Sequence, residues 1–173
     1  MVPPYFATFM PHTHGTTDAR LVVRAATASD VPAIVAIDET RGPRNDAHAA
    51  WVLERVLNPA ALVLVAAVDD VVVGSTMTLR WVGHTDAPDG WYVSGVTVLP
   101  DQRRHGAGTR LLDALTTWIW DRDDTAWSVI NALNLPSLAL HAQRGFQEVG
   151  RGSTFAGITF TGGTGVLLRA DRP

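Results

Sequence analysis

Arg103-Arg104-His105-Gly106-Ala107-Gly108 is the stretch of this chain best suited to holding a ligand. Two arginines bring positive charge that can meet an anion in charge-assisted hydrogen bonds. Two glycines let the backbone come close to a ligand and take left-handed torsions. If a helix starts at the glycines, its first N–H groups have no partner within the helix, and its dipole favours an anion there. The combination suits a pyrophosphate. Two well-known phosphate loops fail on residue identity. A Walker loop needs Gly-Lys-Ser/Thr, and the chain has no lysine. A dinucleotide fingerprint needs a third glycine three residues after Gly108, where Leu111 stands. A plain strand-to-helix turn with solvated arginines would use the same residue types, so the loop alone does not decide.

The surrounding pattern puts the loop between a strand and a helix. Trp91 to Leu99 reads as a strand stopped by Pro100, and Gly106 to Trp120 carries Leu111, Leu112, Leu115, Trp118 and Ile119 on one helical side. Upstream, Leu21 to Ala25 reads as a strand. Asp30 to about Thr40 follows as a helix with Pro32 just inside its start, and a second helix begins at Asn45-Asp46 and ends at Asn58-Pro59. Ala61 to Val68 is a buried strand, Asp69-Asp70 a turn, and Val71 to Trp81 a further strand. Downstream come a strand at Ala126 to Ala132, a helix at Pro136 to Arg144 closed by Gly145, and a hairpin of Phe146 to Phe160 with Gly165 to Arg169. The predicted order β-α-α-β-β-β-α-β-α-β-β makes an α/β fold, a mixed central sheet with helices on both faces. Residues 1–20, with Pro3, Pro4, Pro11 and Gly15, read as a flexible N-terminal arm, and 21–173 as a single domain.

A second block follows about one strand after the loop: Ile130-Asn131-Ala132-Leu133-Asn134-Leu135-Pro136-Ser137-Leu138-Ala139-Leu140-His141-Ala142-Gln143-Arg144-Gly145-Phe146. The first block meets the acetyl-CoA loop pattern Arg/Gln-x-x-Gly-x-Gly/Ala. The second resembles a strand ending in Asn, a helix carrying Ala-Leu-Tyr, and a closing Gly-Phe. Order, separation and flanking elements together resemble the GNAT family of N-acetyltransferases over roughly Leu21 to Arg169.

The resemblance implies the GNAT (acyl-CoA N-acyltransferase) fold and acetyl-CoA as acyl-donor cosubstrate, with no metal. It implies that the strands ending near Val98 and Asn131 splay apart and that the pantetheine arm lies in the gap. Main-chain groups at Val96 and Val98 would meet the arm. The loop residues Arg103, Arg104, His105, Gly106, Ala107, Gly108 and Thr109 would hold the pyrophosphate, and Asn134 would help to hold the arm. The amine attacks the thioester directly, and the Val96 N–H would donate to the developing oxyanion. His141 stands where the family usually has a tyrosine acid. It can donate a proton to the leaving thiolate, or it can simply pack; the sequence leaves both open. The strand before the loop has no carboxylate, so the base is undefined among Asp38, Glu39, His84, Asp86, Tyr92 and water.

The acceptor is expected near Asp38-Glu39-Thr40-Arg41-Gly42-Pro43-Arg44-Asn45. Glu39 can hold an amine and Arg41 a carboxylate, which suits a small amino-acid-like or xenobiotic amine. The alternatives are a protein or peptide N-acetyltransferase and a non-catalytic acyl-CoA-binding sensor. Composition narrows the classes. The chain has 173 residues, a formal charge of −3 and no basic run, which argues against nucleic acid. All 14 Lys+Arg cations are arginines, a bias suited to a GC-rich genome. No cysteine is present, so disulfides, cysteine-ligated zinc and a cysteine acyl-enzyme are excluded. His12 and His14 have no acidic partner pattern and make no metal site. No signal peptide or membrane span is legible, so the expectation is a soluble cytoplasmic protein, with a homodimer left open.

Overall fold

The computed structural model describes residues 6–10 and 15–173. The arm residues Pro3, Pro4, Pro11, His12 and His14 lie outside the described residues. Among the described residues, seven strands form one mixed sheet in the order β1-β2-β3-β4-β5-β9-β6, flanked by four helices. The chain divides into two compact units. One takes residues 15–77 with Gly95–Leu115, the other residues 6–10 with Thr78–Ser94 and Thr116–Pro173.

In the first unit, β1 (Leu21–Ala25) pairs antiparallel with β2 (Val63–Val68), and β2 with β3 (Val71–Trp81). Asp69 and Asp70 make the turn with φ of 48° and 64°, the two-residue geometry whose twist matches the strands it joins. Strand β2 is buried over Val63–Ala67, which explains an apolar run without alternation. Two helices follow the expected pattern, α1 (Val31–Glu39) and α2 (His48–Leu57). Val31 and Ile34 of α1 pack with Val52 of α2 and with Val63, Val65 and Met77 of the sheet.

Asp30 ends the single 3-10 turn before α1 and anchors it. Its carboxylate accepts both Arg24 guanidinium nitrogens at 2.7 and 2.9 Å, the Thr27 N–H at 2.7 Å and the Thr27 hydroxyl at 2.9 Å. Arg24 first, then Thr27, holds this carboxyl well below the usual carboxylate range against the opposing effect of burial. A depressed folded value means that the stabilisation is complete above the unfolded pKa of ~3.9 and fades as pH falls toward the folded one. Asp30→Asn is therefore expected to be less stable at neutral pH by about 1–3 kcal/mol and to lose less on acidification. Denaturant midpoints taken from pH 7 down to 3 test this; equal acid slopes in both proteins would refute it.

Helix α3 (Ala107–Trp120) buries Leu111, Leu112, Leu115 and Ile119, the expected apolar side. Strand β4 (Gly90–Val98), of which Gly90–Ser94 belongs to the second unit, runs parallel to β5 (Thr125–Asn131). Trp91, Tyr92 and Val93 pair with Ala126, Trp127 and Ser128. Further along β5, Val129, Ile130 and Asn131 pair with Leu167, Val166 and Gly165 of β9 (Gly165–Asp171). Helix α4 (Leu135–Gln143) leads into β6 (Gln147–Gly152).

The long strand predicted over Phe146 to Phe160 is divided. β6 ends at Gly152 after pairing with β9, and β7 (Thr154–Phe155) and β8 (Ile158–Thr159) form a separate hairpin. Ala156 and Gly157, at φ 48° and 77°, turn the chain there. Asp86 fixes the turn by accepting the Ala156 N–H at 2.9 Å and the Thr154 hydroxyl at 3.0 Å. Tyr92, Phe155, Leu167 and Ala87 form the core beneath, with Trp81 against Tyr92 at 4.0 Å between ring centroids. No described helix is long and apolar enough to cross a membrane.

Candidate functional site

The Arg103–Gly108 loop belongs to the first unit. Beyond β4, the Leu99 N–H still bonds the Val73 carbonyl at 2.9 Å, and Pro100–Gln102 then makes one 3-10 turn. Arg103 is extended, and its Nε donates to the Val98 carbonyl at 3.2 Å, tying the loop to the strand end. Arg104 and Gly106 take left-handed torsions, φ 70° and 87°. Arg104 and His105 are exposed and Ala107 is buried. The first bond of α3 runs from the Arg110 N–H to the Gly106 carbonyl at 3.0 Å, so the N–H groups of Ala107, Gly108 and Thr109 lie ahead of the helical ladder. A 14-residue helix aims its positive end at this point. These residues fit a pyrophosphate.

The segment before β1 lies against the same loop. The Asp18 N–H donates to the His105 carbonyl at 3.2 Å. A Cβ on Gly106 would meet the Thr17 hydroxyl at 2.9 Å, and one on Gly15 would fall 2.0 Å from the Arg104 carbonyl oxygen. Arg110 donates to the Leu21 carbonyl. Residues 15–20, read from sequence as part of an arm, are thus in contact with the loop.

Gly95 interrupts β4 with φ 63°. Such a left-handed residue in a strand breaks the pleat and re-aims the residue after it, here Val96. The Arg41 guanidinium reaches this point: Nη1 lies 3.3 Å from the Thr97 hydroxyl and 3.6 Å from where a Cβ on Gly95 would stand. Arg41 is held at the end of α1 by its N–H bond to the Asp38 carbonyl, 3.0 Å. Arg44 donates to that carbonyl at 3.1 Å. The Asp38 carboxylate is 2.9 Å from His48 Nε2. Glu39, next to it, is exposed.

His141 and Asn134 belong to the second unit. His141 is 2% exposed. Nδ1 lies 2.9 Å from the Ser137 carbonyl, one turn back in α4, and Nε2 lies 3.2 Å from the Ser128 hydroxyl. A carbonyl only accepts, so Nδ1 carries the proton and Nε2 accepts from Ser128. Burial pushes the imidazole down to about 4, which keeps it neutral at physiological pH. Phe146 packs edge-on at 5.0 Å. Both nitrogens are engaged within the fold, which supports the packing reading. Asn134 caps α4, its side-chain oxygen accepting the Ser137 N–H at 3.3 Å.

Among the other base candidates, Asp86 is committed to the β7–β8 turn. Tyr92 donates its hydroxyl to the Pro88 carbonyl at 2.8 Å, and burial raises its pKa. His84 packs edge-on against Trp81. The described residues contain no group of three or more potential metal ligands.

Two site features escaped the sequence reading. The alternation Ala126, Ser128, Ile130 puts Ser128 on the buried face of β5, and a buried hydroxyl requires a partner; that signal points toward His141. His48 carried no comparable signal, because its pairing with Asp38 depends on how α1 and α2 meet.

The acetyltransferase (GNAT) family model matches residues 31–146. No curated protein is a significant match. Among solved structures, a ribosomal-protein-alanine N-acetyltransferase from Brucella melitensis superposes with a TM-score of 0.71 at 24% identity, over 87% of this chain and 99% of that one. A phosphinothricin acetyltransferase from Sinorhizobium meliloti, solved in complex with acetyl-CoA, gives 0.72 at 19% identity over 88% of each chain. An N-acetyltransferase from Staphylococcus aureus Mu50 gives 0.71 at 20% identity, over 88% and 99%.

Proposed function

The chain belongs to the GNAT family of acetyltransferases, and on that premise we propose that it moves an acetyl group from acetyl-CoA to the primary amine of a small amino-acid-like or xenobiotic molecule. Acetyl-CoA supplies an activated thioester, and this chain's residues bind and orient it. The N–H groups of Ala107, Gly108 and Thr109, with Arg104 and the backbone of Arg103, His105 and Gly106, receive the pyrophosphate. Val96 and Val98 present main-chain groups to the pantetheine arm. The Val98 carbonyl is shared with Arg103. The Val96 N–H is the donor for charge developing on the thioester oxygen. For Asn134 the side-chain oxygen serves as the helix cap, so the amide nitrogen is the group that meets the arm. His141 is assigned to the packing of α4 on β5.

The observation that carries the acceptor class is Arg41. Its guanidinium lies over the Gly95 bend, beside Val96. A cation there suits an acceptor bearing a carboxylate, and the exposed Glu39 at the same helix end suits its ammonium. The Sinorhizobium enzyme, by its name, acts on the small molecule phosphinothricin; the Brucella enzyme, by its name, acts on a protein alanine.

Thiol release from acetyl-CoA, measured against L-amino acids, phosphinothricin, aliphatic amines and alanine-starting peptides, tests this reading. The expected result is turnover on free amino-acid-like amines, with Arg41→Ala raising their KM about 10-fold or more, the loss of one charged contact. Turnover confined to peptides would overturn the small-molecule reading. Acetyl-CoA binding without turnover on any amine would indicate a sensor.

A further inference from the structure

An amine acceptor arrives as an ammonium ion and must lose a proton before it can attack. Strand β4 offers no carboxylate for this, and Asp86 and Tyr92 are held by other partners. His48 and Asp38 form a pair with the required character. The ring nitrogen Nε2 and the carboxylate oxygen are 2.9 Å apart, with side chains only 15% and 13% exposed. The imidazole stacks on Trp51, ring centroids 5.7 Å apart and planes at 19°, which fixes its orientation. With Nε2–H donated to the carboxylate, Nδ1 carries the lone pair. A base oriented by a carboxylate is a recurring arrangement for proton transfer.

The pair also connects to the reacting end of β4. Asp38 holds the Arg41 N–H through its carbonyl, and the Arg41 side chain reaches Thr97 and Gly95, which flank Val96. One residue thus joins the pair to the proposed thioester position. Near the pair, Arg44 donates to the Asp38 carbonyl and Arg55 lies over the Trp51 ring at 5.5 Å; in sequence, Glu39 adjoins Asp38 and Asp46 lies two residues before His48.

We infer that His48, oriented by Asp38, is the general base of the transfer; this rests on the small-amine function proposed for the site. His48 Nδ1 takes one proton from the ammonium. The freed lone pair attacks the thioester carbonyl carbon, the C–N bond forms, and the C–S bond breaks with its electron pair leaving on sulfur. The amide nitrogen sheds its extra proton to solvent, the thiolate takes one up, and His48 returns its own to solvent.

A staple joining α1 to α2 would show the same contact, so the test needs more than activity. Acetyl-CoA with L-amino acids and benzylamine serves as the probe set. His48→Gln is expected to keep the melting temperature and acetyl-CoA affinity of the parent, to lose ~10²–10⁴-fold in kcat, and to lose the limb on which kcat/KM rises with pH. Added imidazole should restore activity to His48→Ala. Parent-like kcat and pH profile in His48→Gln would overturn the inference. If that variant does not fold, Asp38→Asn decides. Without the carboxylate the imidazole is no longer held in place, so kcat is expected to fall ~10-fold or more with acetyl-CoA affinity unchanged; a parent-like kcat overturns the inference. A parent that binds acetyl-CoA but acetylates none of these amines overturns the small-amine reading itself, before any variant is compared.

Discussion

Gly108→Val is expected to erase the thermal protection that acetyl-CoA gives the parent chain. A ligand bound only by the folded state, at 100 times its Kd, adds about 2.7 kcal/mol. For a chain of this size that raises the melting temperature by roughly 5–10 °C. Gly108 lies in the first turn of α3, half-buried, among the N–H groups assigned to the pyrophosphate. A branched side chain there stands where the phosphate must approach. The helix itself should tolerate the change, since valine is no worse a helix former than glycine. Gly106 is the less informative target. Its φ of 87° would strain any other residue, and an added Cβ would push on Thr17, so loss of binding would be mixed with loss of folding. Differential scanning fluorimetry with and without acetyl-CoA gives the answer. An unchanged shift in Gly108→Val would show that the anion sits elsewhere.

The loop's conformation was legible because backbone demands are written in residue type. Glycine at 106 and a helix start just beyond it could be read locally, whereas the bond from the Asp18 N–H to the His105 carbonyl could not. The strands and helices were legible for a similar reason: β2, buried along most of its length, is apolar throughout, and α3 shows one apolar side. The Phe146–Phe160 segment was not legible, because its division depends on Asp86, some 70 residues earlier, holding the Thr154–Ala156 turn. The acceptor side was only half legible. Arg41 was visible as a cation near the end of α1, but its reach to Thr97 spans 56 residues. The His48–Asp38 contact likewise depends on the meeting of two helices, and no local spacing encodes it.

His141 shows the converse, a residue whose position in a motif suggests chemistry while its surroundings suggest structure. An acid for the leaving thiolate needs a proton on a nitrogen that can reach it. Here the protonated nitrogen faces a carbonyl of its own helix, and the other accepts from Ser128. His141→Ala should therefore lower stability by about 2–4 kcal/mol, from the lost packing and from the Ser128 hydroxyl left without its partner. Turnover at saturating acetyl-CoA, measured well below the melting temperature, should stay within a few-fold of the parent. A ~10²-fold fall in kcat would instead return His141 to the chemistry.

The same burial dictates how the fold responds to acid. Burial holds the folded imidazole at about 4, with the bond to Ser137 opposing the shift, whereas an unfolded histidine titrates near ~6.5. Between those values the unfolded chain binds a proton that the folded chain does not. Stability therefore falls as pH drops from the upper value toward the lower, by about 3 kcal/mol over the whole window. Below the folded value both states are protonated and the dependence ends. His141→Leu fills much of the same space with a group that cannot titrate. It is expected to start less stable at pH 7.5, because the Ser128 hydroxyl loses its partner, and then to change less than the parent between pH 6.5 and 4. The remaining histidines are common to both proteins and cancel in the comparison. Urea midpoints across that range give the two slopes; parallel curves would mean that His141 is protonated or solvated in the fold, and the buried, neutral assignment would fall with it.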